Sequence, residues 1–421
     1  MVTIGKKLSL FDGWTIGTGS MIGAAIFVVS GVIIGTAGPS SFLSFLIAGF
    51  ATLTVAFSFS KLVSTFPHKK GGIYAYPKMI FKRYGEGLSF IAGWSLWGGQ
   101  GLGPAIVGLS FAYYLIWLLN ILNLPVFLGE KEIAILIILV FGIFNCRGVN
   151  ISKKIQIITT FSIVICLLIF IVWGSFHINP ANLTPFLPYG MGGLFKASGM
   201  ASLTYGAWST IPSASKEFRN PKRDVPLSMM LSLITCTILF AFVIFVQSGL
   251  CNYTSLANAS APLATAAYKL TKNAGLLIAA AGLFATTSTL NGLIFTGSQL
   301  LSSMEGSLPK VLGKEHEKYY TPYMAILCTV IGQIILVGTG LFLLIVETVV
   351  FVTVISWIIG CMSTIALHYK NSAKILEYMT PIIAVLFCVL LCSYLNIKAI
   401  EFGTIWIVIG IMINRMYKKL K

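Results

Sequence analysis

Charged residues are scarce in this sequence, and histidine is scarcer still. Only 10% of the 421 residues are Asp, Glu, Lys or Arg, and the four histidines stand far apart. No H-x-x-x-H or H-x-x-E-H pattern surrounds them, and the eight cysteines show no metal-ligand spacing. These are the groups that general acid and base catalysis or a metal site would need. An enzyme is therefore disfavoured, and we expect neither a metal nor a cofactor.

Hydrophobic residues, in contrast, are abundant. They make up 57% of the chain, the mean hydropathy is +0.89, and runs of about 20 apolar residues recur along its length. We predict an all-α polytopic membrane protein. The segment before the first run has no small-residue cleavage site, so we expect a first membrane span and no removed signal peptide. Twelve spans are predicted, at residues 12–36, 40–64, 86–120, 131–146, 154–175, 191–212, 226–248, 274–302, 322–342, 345–368, 376–396 and 400–416.

The basic residues indicate how these spans are oriented. The net charge is +17, yet the Lys and Arg residues sit in short loops, so the charge indicates topology and not a nucleic-acid partner. Positively charged loops resist translocation across the membrane. Both termini are therefore predicted to be cytoplasmic, in the cell membrane. Only five of the 29 basic residues fall on the opposite side, namely Lys131, Lys196, Lys269, Lys272 and Lys398.

Two spans are interrupted by glycine and polar residues. These are GTGSMIG at 17–23 in span 1 and SLTYGAW at 202–208 in span 6. Within hydrocarbon an unwound backbone is tolerated only where it is buried in protein or contacts a polar solute. Breaks at matching places in two halves are typical of secondary transporters. Small residues at this spacing also mediate close helix packing, which is the alternative explanation for span 1.

The first ten spans divide into two sets of five, and each break lies in the first span of its set. Spans 1–5 start inside and spans 6–10 start outside, which predicts an inverted repeat about an axis in the membrane plane. We place the first repeat at residues 1–175, the second at 191–368 and two additional helices at 376–421, all in one transporter domain.

The broken helix ends suit a zwitterion. The outer half of span 1 would present free N–H groups near Ile22–Ile26, which favour a carboxylate. Span 6 would present unpaired carbonyls at Ala201, Ser202 and Leu203, which favour an ammonium. Facing each other, these ends describe a receptor for an α-amino acid.

Ionisable residues are missing from the middle of the spans, so a neutral substrate side chain is favoured. Asp12 begins span 1, Glu347 is placed between spans 9 and 10, and Lys196 lies in the outer turn of span 6. Aromatic or amide side chains are candidates to shape the pocket, although packing is an alternative role for them. They are Tyr205, Trp208, Trp94, Trp97 and Gln100.

Three motifs resemble the amino acid–polyamine–organocation transporters. GSMIGAAIF at 19–27 is similar to the first-helix signature G-x-I-I-G-[SA]-G-I-F. Residues 203–226 resemble helix 6 and the loop that follows it, and SQLLSSMEGSLP at 298–309 resembles the end of helix 8. The form YGAW is most similar to the L-type amino acid transporter branch.

The resemblance implies the five-plus-five inverted repeat, helices 1 and 6 unwound, and alternating access. Carried over by position, Ser20, Ile22, Gly23 and Ala24 would bind the substrate carboxylate, and Met21 is a further candidate substrate-binding residue. Ala201, Leu203 and Thr204 would offer carbonyls to the amine, beside Tyr205 and Trp208. Leu203 stands where relatives often place an aromatic gate, and Glu217 is a candidate for an inner gate formed with basic residues.

Two departures from the family pattern affect coupling. Proton-coupled relatives carry a lysine in span 5 about seven residues after a glutamine. In this chain the residue seven positions after Gln156 is Ile163, so that lysine is missing. Exchange, facilitated diffusion and sodium coupling are therefore all compatible with the sequence. Sodium coupling would use the span 8 hydroxyls of Thr286, Thr287 and Ser288. The alternative is that these hydroxyls bond to the backbone of their own helix, as such hydroxyls more often do. In addition, Lys216 replaces the first of two acids that usually precede the Asn-Pro pair.

The sequence thus predicts a permease that moves amino acids, most favourably neutral ones, by alternating access. An exchanger, a carrier of cationic amino acids or polyamines and a sensor that binds without transport are the alternatives. A channel is disfavoured because no ring-forming repeat or charged filter is present. The coupling ion, proton or sodium, and the oligomeric state stay undetermined by the sequence.

Overall fold

The computed structural model describes residues 7–23, 25–67, 74–148, 153–304 and 306–420. In these ranges all regular secondary structure is helical, apart from one isolated bridge between Leu8 and Phe218, and turns and loops connect the helices. All twelve predicted spans correspond to helices. Their bounds are Leu10–Met21, Ala25–Val29 and Ser30–Ala37 for span 1, Ser41–Thr65 for span 2, Gly85–Leu96, Trp97–Leu102 and Pro104–Ile121 for span 3, Glu130–Cys146 for span 4, Lys153–Ser175 for span 5, Gly190–Tyr205, Gly206–Ser209 and Thr210–Ser213 for span 6, Pro221–Leu250 for span 7, Lys272–Ser303 for span 8, Tyr323–Thr339 for span 9, Phe342–Lys370 for span 10, Ile375–Ser393 for span 11 and Ile397–Lys419 for span 12.

Eight helices in the described ranges are long and apolar enough to cross a membrane. They account for spans 2, 3, 5, 7, 8, 10, 11 and 12, and the first of them, Ile26–Thr65, also includes the outer part of span 1. Spans 4 and 9 are shorter, at 17 residues each, and spans 1 and 6 are interrupted. The prediction of an all-α polytopic membrane protein is confirmed. Spans 11 and 12 are only 22% and 17% buried over their most apolar windows, as expected of helices at the periphery.

Span 1 is capped at its start and broken near its middle. The Ser9 hydroxyl accepts a hydrogen bond from the Asp12 N–H at 3.3 Å, and the Asp12 carboxylate accepts from the Ser9 N–H at 2.8 Å. This capping box assigns Asp12 a structural role. The helix ends at Met21, where Ile22 has φ −77° and ψ 71°, and a π-helical turn resumes at Ala25.

Span 3 contains an interruption that the sequence analysis did not predict. A π-helical turn covers Trp97–Leu102 and directly precedes Pro104. Proline has no N–H, and its ring clashes with the carbonyl four residues earlier, here that of Gln100. The helix widens at this point, as π-bulges do. The Gln333 side chain of span 9 donates to the Gly101 carbonyl at 2.6 Å and supports the widened turn.

The break in span 6 lies later than predicted. The α-helix continues to Tyr205 and tightens into a 3₁₀ turn at Gly206–Ser209. The Ala201 carbonyl accepts the Thr204 hydroxyl at 2.7 Å, and the Leu203 carbonyl accepts the Gly206 N–H, so the prediction that these carbonyls are unpaired is wrong. The reason is local, because a hydroxyl three residues further along and a 3₁₀ bond satisfy them.

Glu347 also differs from the prediction. Gly340, with φ 69°, ends span 9, and span 10 starts at Phe342, so Glu347 lies within span 10 and not between spans. A glycine in the left-handed conformation makes this very short connection possible. The Glu347 side chain is only 2% exposed.

The spans pack in two groups. In one group, span 2 packs against spans 6 and 7, and span 1 packs against span 7. In the other, span 3 packs against spans 4 and 8, and span 4 packs against span 9. The interrupted helices of spans 1, 3 and 6 meet where the groups face each other. The relation of the two halves by an in-plane axis stays a prediction.

Candidate functional site

A cavity of about 80 Å³ lies between the breaks of spans 1 and 6. We call it the central cavity. Spans 3, 8 and 10 complete its wall. Its lining residues are Ser20, Met21, Gly23, Gly99, Gln100, Gly103, Ile106, Val107, Ser202, Leu203, Thr204, Gly206, Ala207, Thr289, Leu293, Val350, Thr353, Val354 and Trp357.

Half of the substrate-binding residues predicted from the sequence line this cavity. They are Ser20, Met21, Gly23, Leu203 and Thr204. Ala24 lies outside the described residues. The prediction therefore located the two breaks that form the cavity, although it did not resolve which residues face inward.

Ile22, Ala201, Tyr205 and Trp208 lie outside the lining. Tyr205 is fully buried and donates its hydroxyl to the Phe45 carbonyl at 2.9 Å, which ties span 6 to span 2. Trp208 is also fully buried, with its ring 5.3 Å from that of Phe59 and 6.2 Å from that of Trp357. Its contact with Trp357 places it behind the wall of the cavity.

The span 3 candidates divide in the same way. Gln100 lines the cavity and donates to the Gly206 carbonyl at 3.1 Å and to the Ser209 hydroxyl. Trp94 and Trp97 face away from it and stack with Trp406 of span 12, at ring distances of 4.7 and 5.5 Å. The π-helical turn separates the two faces, because it carries Gln100 inward while Trp97 points outward.

Two lining residues that the sequence analysis missed carry polar atoms without partners. The Thr289 hydroxyl and the Trp357 indole nitrogen are buried, and neither has a hydrogen-bond partner in the described part of the chain. Buried polar atoms of this kind are uncommon unless a ligand or water satisfies them. Thr289 could have been suspected from its place directly after the predicted hydroxyls of span 8, but nothing in the sequence distinguishes Trp357 from a packing residue.

A second cavity of about 370 Å³, which we call the vestibule, lies on the N-terminal side of the central cavity. Asp12 and Glu217 supply its carboxylates, and Ser20, Thr289 and Leu293 line both cavities. The shared residues show that the vestibule and the central cavity are neighbours on either side of one wall. Glu217 is exposed at the surface, yet partial desolvation of its carboxyl raises the pKa above the ordinary value.

Backbone pairing fixes the rim of the vestibule. The Leu8 N–H donates to the Glu217 carbonyl at 2.7 Å, and the Arg219 N–H donates to the Leu8 carbonyl at 2.9 Å. These bonds join the segment before span 1 to the segment after span 6. The inner halves of the two broken helices are thereby held together next to the vestibule.

The predicted hydroxyls of span 8 are used in different ways. Thr286 donates to the Gly282 carbonyl at 2.8 Å, and Thr287 donates to the Phe284 carbonyl at 2.9 Å, so both bond their own helix. Ser288 lines the vestibule. A role of these three in ion binding stays a prediction.

Comparisons with known proteins agree with this geometry. A family model described as amino acid permease matches residues 8–413. The chain is 26% identical to the branched-chain amino acid permease of Bacillus subtilis, over 98% of this chain and 93% of that protein. It is 26% identical to the methylthioribose transporter of the same organism, over 99% and 94%. It is also 30% identical to cationic amino acid transporter 9 of Arabidopsis thaliana, over 74% of this chain and 57% of that protein.

Proposed function

We propose, from the premise that this chain belongs to the amino acid permease family, that it carries neutral amino acids across the cell membrane by alternating access. The observation that carries the proposal is the central cavity, bounded by the two broken helices and lined mainly by apolar side chains. We infer that it is a transporter and not an enzyme.

The backbone at the breaks supports a zwitterionic substrate. The prediction of free N–H groups near Ile22–Ile26 is wrong at Ile22 and Gly23, whose N–H groups donate to the Thr18 and Met21 carbonyls at 2.9 Å. A helix leaves its first N–H groups without a partner in the helix, and the π-helical turn that starts at Ala25 presents them at its positive end. On the opposite side, the α-helix of span 6 ends at Tyr205, so the negative, carbonyl end of its dipole lies next to Gly206, which lines the cavity. A carboxylate at the first end and an ammonium at the second would complement both dipoles.

The lining supports a neutral substrate side chain. None of the described lining residues is ionisable, and the apolar side chains include Met21, Ile106, Leu203, Val350 and Trp357. A charged side chain bound here would lose its hydration without gaining an ion pair, which is costly. The branched-chain permease of Bacillus subtilis is a relative in keeping with this lining, whereas the cationic transporters of Arabidopsis thaliana keep the cationic alternative in the test.

The two helix groups support rocking of one group against the other. The central cavity lies where they face each other, and Leu203 lines it as a candidate gate. With the termini in the cytoplasm, as the distribution of basic residues predicts, the vestibule opens to the cytoplasm. The described conformation is then an inward-facing one.

The geometry of the site is compatible with several coupling modes. Exchange, facilitated diffusion and coupling to a proton or sodium differ only in what accompanies the substrate. Ser288 and Thr289 are better placed than Thr286 and Thr287 to contribute to an ion site, because they line the cavities.

Uptake into proteoliposomes tests the proposal. Labelled leucine, valine, alanine, lysine and methylthioribose are compared with an empty lumen, with the same solute preloaded and with imposed sodium or proton gradients. Concentrative leucine uptake driven by one gradient is expected for a symporter, and uptake only after preloading for an exchanger. Preferred lysine or methylthioribose uptake would overturn the neutral amino acid proposal, and leucine binding without uptake would indicate a sensor.

A further inference from the structure

The face of span 10 that lines the central cavity carries two polar groups without partners. Val350, Thr353, Val354 and Trp357 line the cavity, and their spacing of three or four residues places them on one side of the helix. The Thr353 hydroxyl makes no hydrogen bond within the described ranges, and the buried indole N–H of Trp357 makes none either. We call Thr353 and Trp357 the donor pair.

The unbonded hydroxyl of Thr353 contrasts with other hydroxyls of the same span. Ser356 donates to the Ala92 carbonyl at 2.9 Å, and Ser363 donates to the Ile359 carbonyl at 2.8 Å. A hydroxyl on a helix ordinarily finds a main-chain carbonyl in this way. Thr353 is only 7% exposed, so little bulk solvent is available to replace such a partner. A buried group of this kind is usually satisfied by a ligand or by water.

The other polar groups of the cavity wall are engaged elsewhere. Ser202 and Thr204 donate to carbonyls of their own helix at 2.7 Å, and the Gln100 amide donates to span 6. Ser20 lies in span 1 beside its break, and Thr289 contacts that break from span 8. The donor pair is therefore the polar part of the wall that lies away from both broken helices.

The donor pair belongs to the side of the cavity that spans 3 and 10 form. A β-carbon at Gly99 of the π-helical turn would collide with the hydroxyl oxygen of Thr353, so this hydroxyl contacts span 3. The substrate carboxylate and ammonium are assigned to the broken ends of spans 1 and 6. The side chain of the same substrate then extends toward spans 3 and 10, and this step rests on the proposed function.

We propose that the central cavity selects neutral amino acids whose side chain carries an oxygen acceptor, a hydroxyl or a carboxamide, to which Thr353 and Trp357 donate. Val350 and Val354 supply apolar surface beside the two donors. An apolar side chain of the same shape would cover the donors and leave them unpaired, which disfavours its binding. Sites that hydrogen-bond a substrate discriminate more strongly against an analogue without the polar group than apolar pockets do against a missing methylene. The preference operates within the neutral class and does not exclude leucine as a weaker substrate.

Two pairs of amino acids of nearly equal shape test this selection. Binding of threonine is compared with that of valine, and asparagine with leucine, by titration calorimetry on the detergent-purified full chain. The oxygen-bearing member of at least one pair should bind about tenfold more tightly than its apolar counterpart. A preference for threonine alone identifies a hydroxyl as the selected group, and a preference for asparagine alone identifies a carboxamide.

Thr353→Val and Trp357→Phe each remove one donor while nearly preserving shape. Each should lower the preference within the selected pair about threefold, because the oxygen-bearing amino acid loses one of two hydrogen bonds. A merely structural role would instead weaken both members of the pair alike. Thr353→Ser keeps the hydroxyl and should keep the preference. Two variants with different side chains keep the test valid if one of them fails to fold.

Thr404→Val is the matched control. It makes the same substitution at an exposed position of span 12, where the hydroxyl donates to the Ile400 carbonyl at 2.7 Å, and it should bind all four amino acids like the unmodified chain. Equal affinities within both pairs, or a preference that survives the loss of both donors, would overturn this inference alone. If none of the four amino acids bound, the proposed function would fail and the inference with it.

Discussion

The side-chain amide of Gln100 donates a hydrogen bond to the main-chain carbonyl of Gly206 at a distance of 3.1 Å. Gln100 lies on the π-helical turn of span 3, and Gly206 begins the 3₁₀ turn that interrupts span 6. The bond therefore joins the two helix groups at the wall of the central cavity. The Gly206 carbonyl also accepts the Ser209 hydroxyl at 3.0 Å, so it has one partner in span 6 and one in span 3.

Gln100→Leu removes this donor while nearly preserving volume. We expect substrate affinity to fall about fivefold, since a single hydrogen bond contributes ~1 kcal/mol and its loss leaves the Gly206 carbonyl without its cross-helix partner. Binding of labelled leucine to the purified protein measures the change. Gln299→Leu, at an exposed position near the end of span 8, is the matched control and should bind like the unmodified chain. Equal affinities of the two variants would contradict a role for the bond.

Gly23→Val should abolish substrate binding while the protein still folds. A β-carbon at Gly23 would lie 2.8 Å from the Thr289 methyl carbon and nearer still to its hydroxyl, so a larger side chain must push into the central cavity. Overpacking of this kind costs about 1–3 kcal/mol, which a membrane protein can survive. Leucine binding is measured alongside size-exclusion chromatography.

The control for that experiment is Gly87→Val, where a β-carbon meets nothing within 4 Å. A second variant, Gly23→Ala combined with Thr289→Ala, relieves the clash and should bind leucine better than Gly23→Ala alone. If Gly23→Val bound leucine normally, the central cavity would not be the substrate site.

The spans and the two breaks could be predicted because they depend on local properties of the chain. Twenty-residue apolar runs and the clustering of basic residues on one side are visible without knowledge of any contact. The glycines at 17, 19 and 23 also indicate the break in span 1. The structure gives the reason for one of them, since a side chain at Gly23 would have no room against Thr289.

The direction in which each side chain points depends on helix rotation, which the sequence does not reveal. Tyr205 and Trp208 were predicted to line the pocket, yet both are fully buried behind it, because the α-helix continues to Tyr205 before it tightens. Likewise, the π-helical turn of span 3 separates Gln100 from Trp97. Pro104 could have indicated that turn, but a proline near a helix interruption is compatible with several geometries.

Lys196 and Glu347 should stabilise the contact between spans 6 and 10. Their charged groups lie 3.8 Å apart, and the second Glu347 oxygen accepts the Asn396 N–H at 3.0 Å. Lys196→Met would leave a buried carboxylate without its cation. We expect a loss of roughly 1–3 kcal/mol, less than for a fully buried pair because Lys196 is 38% exposed.

A double variant, Lys196→Met with Glu347→Gln, distinguishes the lost attraction from the lone buried charge. It should recover much of the stability, since neither partner is then left ionised and alone. Thermal unfolding of the detergent-purified protein gives the comparison. A double variant less stable than the sum of its single variants would contradict this account, as would a Lys196→Met variant that unfolds like the unmodified chain.

Glu217 should make stability depend on pH. Desolvation raises its pKa in the folded protein, so the folded state holds this proton more tightly than the unfolded state does. Between the ordinary pKa of a glutamate and the raised one, the folded state binds more protons, and its stability therefore falls as pH rises through that window. Glu217→Gln removes this contribution. Its unfolding temperature, relative to that of the unmodified chain, should rise from pH 4 upward and level off above the raised pKa.

The control is Glu315→Gln, which changes an exposed glutamate in the loop between spans 8 and 9. Its difference from the unmodified chain should vary less with pH than that of Glu217→Gln.

Leucine uptake measured over the same pH series tests the inner gate, because an ionised Glu217 adds a second carboxylate to a vestibule that Asp12 already lines. A gate that involves Glu217 predicts that uptake by the Glu217→Gln variant varies less with pH. Stability and uptake profiles that keep the shape seen in the unmodified chain would exclude Glu217 as the titrating group.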